Sequence, residues 1–357
     1  MTLELVKSRL RLEKSRFTLT KATPRLRLVK WGDSWENQDR DEQGRWTTGG
    51  GGGAGPASSG SPGGGGAIGG EPDHYNTGSG EAPRLGMGDV PIDPKTMANL
   101  TQKDPVTGAT PSSAAYMRPD GTFTPERQAL HDSIVANALA GTSSVDEPHM
   151  VMMGGGPASG KSEMTKSGLV ELPDNAVHND PDSIKSQLPE AQSMQEAGDK
   201  SWAGVTHEES SYLSARITAA AFETNRNMVL DSTGDSSLDK LSAKIDAARE
   251  AGYKVDANYI TVHPDTGVER AMARAQTTGR LVDENIVRGT YASISSVFPQ
   301  AAEKFDSVNL FDNNATAGHE GGQPRISQGI QLIASKEPGG HLTVADQPKY
   351  NQFLSYA

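Results

Sequence analysis

Between residues 149 and 312, short apolar runs alternate with stretches in which apolar residues return every three or four positions. The runs at 149–153, 175–178, 228–230, 253–262 and 307–312 have the length and apolar content of strands buried on both faces. The intervening stretches predict helices from 162 onward, and at 205–225, 237–251, 264–275 and 283–298. One more helix precedes the first strand. Thr124 is a good N-cap, Pro125 suits the first helical position and Glu126 suits the first turn. Ala129, Leu130, Ile134, Val135, Ala138 and Leu139 then follow at helical spacing, and Gly141 ends the run. Strand and helix alternate with crossovers of the right size. That pattern predicts an α/β fold, a parallel sheet with helices on both faces.

The pattern fails outside this region. Residues 1–30 alternate loosely, with strand-like stretches at 16–20 and 25–29. Residues 49–70 are Gly-, Ser- and Pro-rich and cannot bury apolar area, so they predict a flexible linker. Residues 71–122 are expected to be mostly irregular, with a short helix near 94–100. The organisation read from sequence is therefore a basic N-terminal arm at 1–48, a largely disordered linker at 49–122, a catalytic domain at 123–322 and a C-terminal cap at 323–357. In the cap, 326–335 can be helix or strand, 338–344 a turn and strand, and Tyr350, Phe353, Leu354 and Tyr356 are expected to pack as its apolar side.

Composition narrows the classes. The 40 glycines and 21 prolines among 357 residues fit a chain that is only partly globular. With no cysteine there is no disulfide framework and no thiolate metal site. No apolar run reaches the roughly 20 residues that cross a bilayer, and the basic N-terminus lacks an apolar signal core. The net charge of −11 is uneven: residues 1–30 hold nine basic and two acidic side chains, a net of +7 that leaves −18 elsewhere. Such an arm suits an acidic partner surface, or is simply solvated.

The strongest chemical signal follows the first strand. Gly155, Gly156, Pro157, Ala158, Ser159, Gly160, Lys161 and Ser162 fit G-x-x-x-x-G-K-[ST], the phosphate-binding P-loop, between an apolar run and a helical stretch. Glycines let the backbone curl with its N–H groups inward, and the helix start adds a positive dipole end. Lys161 can reach the β- and γ-phosphates of ATP, and the Ser162 hydroxyl can ligate Mg²⁺.

Acids and arginines near the other strand ends extend the site, because ligands in open α/β sheets bind beyond the carboxyl ends of the strands. Asp182 follows the second strand, where a carboxylate can take the proton of an attacking hydroxyl. Asp180 competes for that role but reads better as a turn former before Pro181, and Asp182 itself can also be an N-cap. Asp231 ends the third strand and is the Walker-B-type acid for Mg²⁺, or else part of a simple Asp-Ser-Thr-Gly turn. Thr233 is placed near substrate or phosphate. Arg270 and Arg274 share a helix face, and Arg280 follows in a Gly-containing lid. Arginines closing over a triphosphate neutralise developing charge, whereas Arg270 also fits a solvated face. His207-Glu208-Glu209-Ser210 is not H-E-x-x-H, so a zinc-protease site is excluded, although His207 or Glu208 can line a pocket.

The segments GGGPASGKS, Asp182-Ser183-Ile184-Lys185, HEES, VLDSTG and RAMARAQTTGRLV together resemble the zeta-toxin family of P-loop kinases over residues 147–314. The resemblance implies a P-loop NTPase-like fold and an ATP- and Mg²⁺-dependent kinase acting on a hydroxyl of a small molecule, such as UDP-N-acetylglucosamine. It implies that Lys161 binds phosphate, that Asp182 is the base and that Arg274 and Arg280 are lid arginines. The lid spacing is short here, and Lys185 stands where an arginine is frequent, which leaves the acceptor open. Residues 40–46, RDEQGRW, resemble an R-D-x-x-G-R-[FW] element of tailed-phage head and portal-associated proteins. An antitoxin or a phage structural protein bound through the N-terminal arm is the expected partner, and a bacterial cytoplasm, or a virion, the expected location. The rivals are a phage virion-associated protein that binds nucleotide without turnover and a polynucleotide or nucleoside kinase. The acidic catalytic part argues against a nucleic-acid groove.

Overall fold

All five apolar runs become neighbouring strands. β1 (His149–Gly154), β2 (Ala176–Asn179), β3 (Asn227–Asp231), β4 (Lys254–Thr261) and β5 (Ser307–Asp312) pair in parallel, in the order β2-β3-β1-β4-β5. In this computed structural model the described residues are 92–357, apart from 104–107, 109, 233–236, 279, 281, 315–318, 321–322 and 325–328. The arm and linker expected at 1–91 lie outside them, as do Thr233 and Gly279. The short pair β6 (His319–Glu320) and β7 (Gln323–Pro324) stands apart from the main sheet.

Strand burial explains the continuous apolar runs. Along β1, Met150 and Met152 enter one hydrophobic cluster while Val151 and Met153 enter another, so consecutive side chains serve opposite faces of the sheet. All four are at most 2% exposed. Burying each stabilises the fold by roughly 1.5–3 kcal/mol. A strand covered on one face only would have been polar at every second position.

The helices in chain order are α1 (Pro94–Thr101), α2 (Pro125–Leu139), α3 (Lys161–Lys166), α4 (Pro181–Lys185), α5 (Pro189–Glu196), α6 (Trp202–Val205), α7 (His207–Glu223), α8 (Leu238–Glu250), α9 (Pro264–Thr278), α10 (Glu284–Ala302) and α11 (Gln347–Leu354). Their starts follow the capping chemistry. The Thr124 side chain accepts from the Arg127 amide, that of Ser237 from Lys240 and that of Asp283 from Asn285. The structure departs from expectation in length. The P-loop helix is six residues long, because Gly168 at φ 67° closes the turn after it. α5 and α6 are too short to show a period.

Two expectations about the edges change. The segment assigned to the linker is packed at its end: α1 and the 3-10 turn Ser112–Tyr116 lie against α7, with Leu100, Phe123 and Tyr212 in one cluster. The packed body therefore reaches back to Asp93, which caps α1. The C-terminal segment does more than cap. β8 (Gln331–Lys336) pairs antiparallel with β5, and β9 (Thr343–Val344) with β8, so the sheet has seven strands and is parallel only in its first five. Tyr350 and Phe353 of α11 then pack into the main core.

A buried ion cluster ties the N-terminal helices to α7. Glu209, fully buried, accepts from Arg127 Nε and Nη2 at 2.6 Å each and from Ser112 Oγ at 2.5 Å. His131 Nε2 lies 2.6 Å from the same carboxylate. Arg127 also grips both carboxylate oxygens of Glu190 on α5 at 2.9 Å. Burial raises the Glu209 carboxyl, but the hydrogen bonds from His131 and Arg127 outweigh it and hold the pKa near 2. Burial wins at His131, which is pushed down and stays neutral, so its Nε2–H donates. HEES is thus partly structural: its second glutamate turns inward.

Candidate active site

The P-loop leaves β1 at Gly154 and enters α3 at Lys161. Gly155 has φ 146°, and a Cβ there would come within 2.5 Å of the Ile260 carbonyl oxygen. Gly160, at φ 107°, is the N-cap of α3 and offers no side-chain cap. Ala158 takes φ 59°, a left-handed conformation that a non-glycine residue holds only when its surroundings enforce it. Two bonds from distant residues do so. Tyr291 on α10 donates its hydroxyl to the Pro157 carbonyl at 2.9 Å, and Asn313, just beyond β5, donates Nδ2 to the Ser159 carbonyl at 2.8 Å. A peptide unit is planar and trans, so its N–H points opposite to its C=O. Holding these two carbonyls outward turns the amides of Ala158 and Gly160 the other way.

Strand register brings the acids to the loop. Asp231, the last residue of β3, pairs with Met153 near the end of β1, and Ser232 N donates to the Met153 carbonyl. Lys161 Nζ, bonded to the Gly155 carbonyl at 2.9 Å, lies 3.9 Å from Asp231 Oδ1. Burial raises the Asp231 carboxyl; Lys161 opposes it, Asp180 and Asp182 reinforce it, and the pKa settles at about 6. This carboxylate is 31% exposed. Ser162 stands exposed on the first turn of α3. Among the described residues no group of three or more His, Asp or Glu side chains is arranged to hold a metal ion. Mg²⁺ in phosphoryl-transfer sites is held by one or two carboxylates together with phosphates and water, and Asp231 with Ser162 is an oxygen donor set of that kind.

Asp180 and Asp182 divide the work expected of either. Asp180 is the N-cap of α4: its carboxylate accepts from the Asp182 amide and from Ser183 Oγ. That leaves the Asp182 side chain to others. Lys185 Nζ reaches it at 3.2 Å from the next turn, and Arg280 Nη1 at 2.5 Å from just past α9. The cleft raises the Asp182 carboxyl by desolvation, but Lys185 and Arg280 overcome this and bring the pKa down to about 2. Lys185, only 6% exposed, is itself pushed down by burial against the pull of Asp182.

α9 supplies the other arginines. The Nε of Arg274 is buried without a hydrogen-bond partner, and burial, with Arg280 nearby, lowers the pKa of its guanidinium. A buried polar donor left unpaired costs about 1–3 kcal/mol, so its retention points to a ligand that satisfies it. Arg270 was open to reading as a solvated face. It is half-buried instead, with Nη2 donating to the Asn313 carbonyl at 3.2 Å. The structure therefore brings Lys161, Asp231, Asp182 and Arg280 together at the carboxyl ends of adjacent strands β1, β3 and β2. Tyr291 and Asn313 carried no signal in the sequence, since they act across 134 and 154 positions.

A phosphate cradle at a parallel-sheet switch, two strand-end carboxylates and an arginine reaching over them define a P-loop phosphotransferase. A family model described as Zeta toxin matches residues 134–320, more than half of the chain, and the chain belongs to that family. No curated protein matches the sequence. Among solved structures, AvrRxo1-ORF1:-ORF2 with ATP is similar with a TM-score of 0.53 and 20% identity, over 67% of this chain and 75% of that one. The same pair with sulphate ions gives a TM-score of 0.52 at 20% identity, over 70% and 78%. At that identity the likeness is one of fold.

Proposed function

We propose that the chain transfers the γ-phosphoryl group of Mg-ATP to a hydroxyl of a small molecule, and that the acceptor is a UDP-sugar such as UDP-N-acetylglucosamine. One observation carries the reading. Arg280 crosses from the end of α9 to pair with Asp182 on α4, which is the contact of an arginine-bearing segment able to cover whatever the P-loop holds. ATP in the solved AvrRxo1 complex supports the choice of nucleotide. The UDP-sugar rests on the family.

In this mechanism the amides of the P-loop and Lys161 hold the β- and γ-phosphates. Bound Mg²⁺ would supply charge neutralisation at the phosphate oxygens, with Ser162 and Asp231 as its protein donors. Asp182 orients the acceptor hydroxyl and takes its proton as the oxygen attacks phosphorus. A carboxylate with a pKa near 2 is a weak base, so the ion pair with Arg280 has a consequence. Lys185 and Arg280 both lower that pKa. When Arg280 turns from Asp182 to the transferring phosphoryl group, it stabilises the transition state and returns part of the basicity of Asp182, with Lys185 still paired to it. Arg274 supplies a second cation from α9.

The test is transfer from γ-labelled ATP with Mg²⁺ to a panel of UDP-sugars, nucleosides and oligonucleotides. Labelled UDP-sugar supports the proposal. Labelled nucleoside or oligonucleotide moves the acceptor to the rival kinases, and nucleotide binding without transfer to anything tried favours a binding role in a virion. An antitoxin partner is proposed from the family alone, and co-purification of an inhibitory protein with the full chain would support it.

A further inference from the structure

The P-loop and the arginine helix α9 do not simply sit on opposite walls of the cleft; one aromatic ring separates them. Tyr291 is 1% exposed and stands on α10. A Cβ added at Gly156 in the P-loop would come within 2.6 Å of its ring, and a Cβ added at Gly267 on α9 would come within 2.5 Å of the same ring. Both distances are shorter than real Cβ contacts, so both glycines are required by the ring. The ring touches the loop from one side and the helix from the other, and its hydroxyl holds the Pro157 carbonyl. Val268 and Ala271 of α9 pack with Tyr291 in a small cluster, and Ala158 of the P-loop lies against it.

We infer that Tyr291 is a positioning residue that sets the P-loop for nucleotide and couples its shape to the seating of α9. The physical grounds are three. The hydroxyl bond fixes the peptide between Pro157 and Ala158, and hence the direction of the Ala158 amide. Ala158 sits at φ 59°, a conformation that relaxes unless something holds it. The close packing of Gly156, the ring and Gly267 leaves no gap to absorb a shift of α9, so a displacement of that helix is passed to the loop. α9 carries Arg270 and Arg274 and leads into Arg280. The role rests on the phosphotransferase reading of the site and adds a residue outside every motif of that reading.

The experiment measures binding of a fluorescent ATP analogue with Mg²⁺ to the full chain, beside the melting temperature of each protein. Tyr291→Phe keeps the ring and removes only the hydroxyl. It is expected to weaken ATP binding about fivefold, the loss of one hydrogen bond, with the melting temperature little changed. Gly267→Ala places a methyl on α9, not in the P-loop, and is expected to weaken ATP binding by at least as much. In a Tyr291→Leu background, where the ring is gone, the same Gly267→Ala change is expected to have no further effect on ATP binding. Wild-type affinity in both Tyr291→Phe and Gly267→Ala overturns the role, as does a Gly267→Ala effect that persists undiminished without the ring. A Gly267→Ala protein that fails to fold leaves the Tyr291→Phe arm to decide. If the wild-type chain binds no ATP analogue, the phosphotransferase reading itself fails and takes this role with it. Wild-type binding with unchanged variants overturns the role alone.

Discussion

Two ion clusters in this protein use the same chemistry to opposite ends. Around Glu209, a carboxylate with no exposure has its partners supplied from within: Arg127, His131 and Ser112. Around Asp182, a carboxylate that is 45% exposed is bonded to Lys185 and Arg280, the latter itself 24% exposed. Both carboxyls are held near pKa 2. The shift alone therefore does not mark function. What differs is access: Glu209 is fully buried, whereas Asp182 and Arg280 are both open to solvent, and in the proposed mechanism a phosphoryl group takes Arg280 from Asp182. The first arrangement holds helices together, and the second is the one we propose is exchanged for substrate.

The largest expected effect lies on the exchangeable side. Lys161→Ala should lower phosphoryl transfer by about 10³-fold, as the loss of a cation on developing phosphate charge does. The melting temperature should stay within a few degrees, and a large fall in it would place Lys161 among the structural groups instead. Glu209→Ala should do the reverse. Leaving Arg127 buried without its main partner costs about 3–5 kcal/mol, which calorimetry should record as a fall of about 10 °C in melting temperature. If Glu209→Ala melts like the wild type, the contrast between the clusters is lost. Arg280→Ala is expected to lower kcat about 100-fold, with a smaller effect on stability, since an ion pair this exposed contributes little to folding.

The smallest effect is a pH dependence. Asp231 has a folded pKa of about 6, raised by burial above its unfolded value. Its stabilising contribution is therefore present below the unfolded pKa and is lost as pH rises through about 6. The protein should be more stable at pH 5 than at pH 7.5 by about 1 kcal/mol after solvent screening, and Asp231→Asn should remove that difference. Asp182 has the opposite sign: its contribution is present above the unfolded pKa and is lost only as pH falls toward 2, so it is silent in this window. A pH difference that survives Asp231→Asn would assign the titration to another group.

Much of this was legible in the sequence because it is local. A buried parallel strand is a continuous apolar run, a cap is one polar residue before a period begins, and the P-loop is eight consecutive residues. Hence the apolar run at 307–312 coincides with β5, and Asp231 falls at the end of β3 as its run predicts. What escaped was not local. Tyr291 looks like one more apolar position of α10, and only the fold sets its hydroxyl beside Pro157. Asn313 reads as loop, yet it holds the Ser159 carbonyl. In HEES the sequence points to His207 and Glu208 as pocket residues, while Glu209 closes the cluster with Arg127. Pairing across 82 positions leaves no trace in spacing. The helices after Leu188 leave no signal in the sequence, because eight- and four-residue elements are shorter than the window in which a period shows.

We propose Asp182 as the exchangeable carboxylate of this phosphotransferase. The most direct test is γ-phosphoryl transfer from labelled ATP to whichever acceptor the wild type labels, comparing wild type with Asp182→Asn, which keeps shape and removes charge. The account predicts active wild-type protein, a loss of about 10³-fold in kcat for Asp182→Asn, near-normal ATP binding and an unchanged melting temperature. Transfer that is undiminished in Asp182→Asn would contradict it and would move the base to another group.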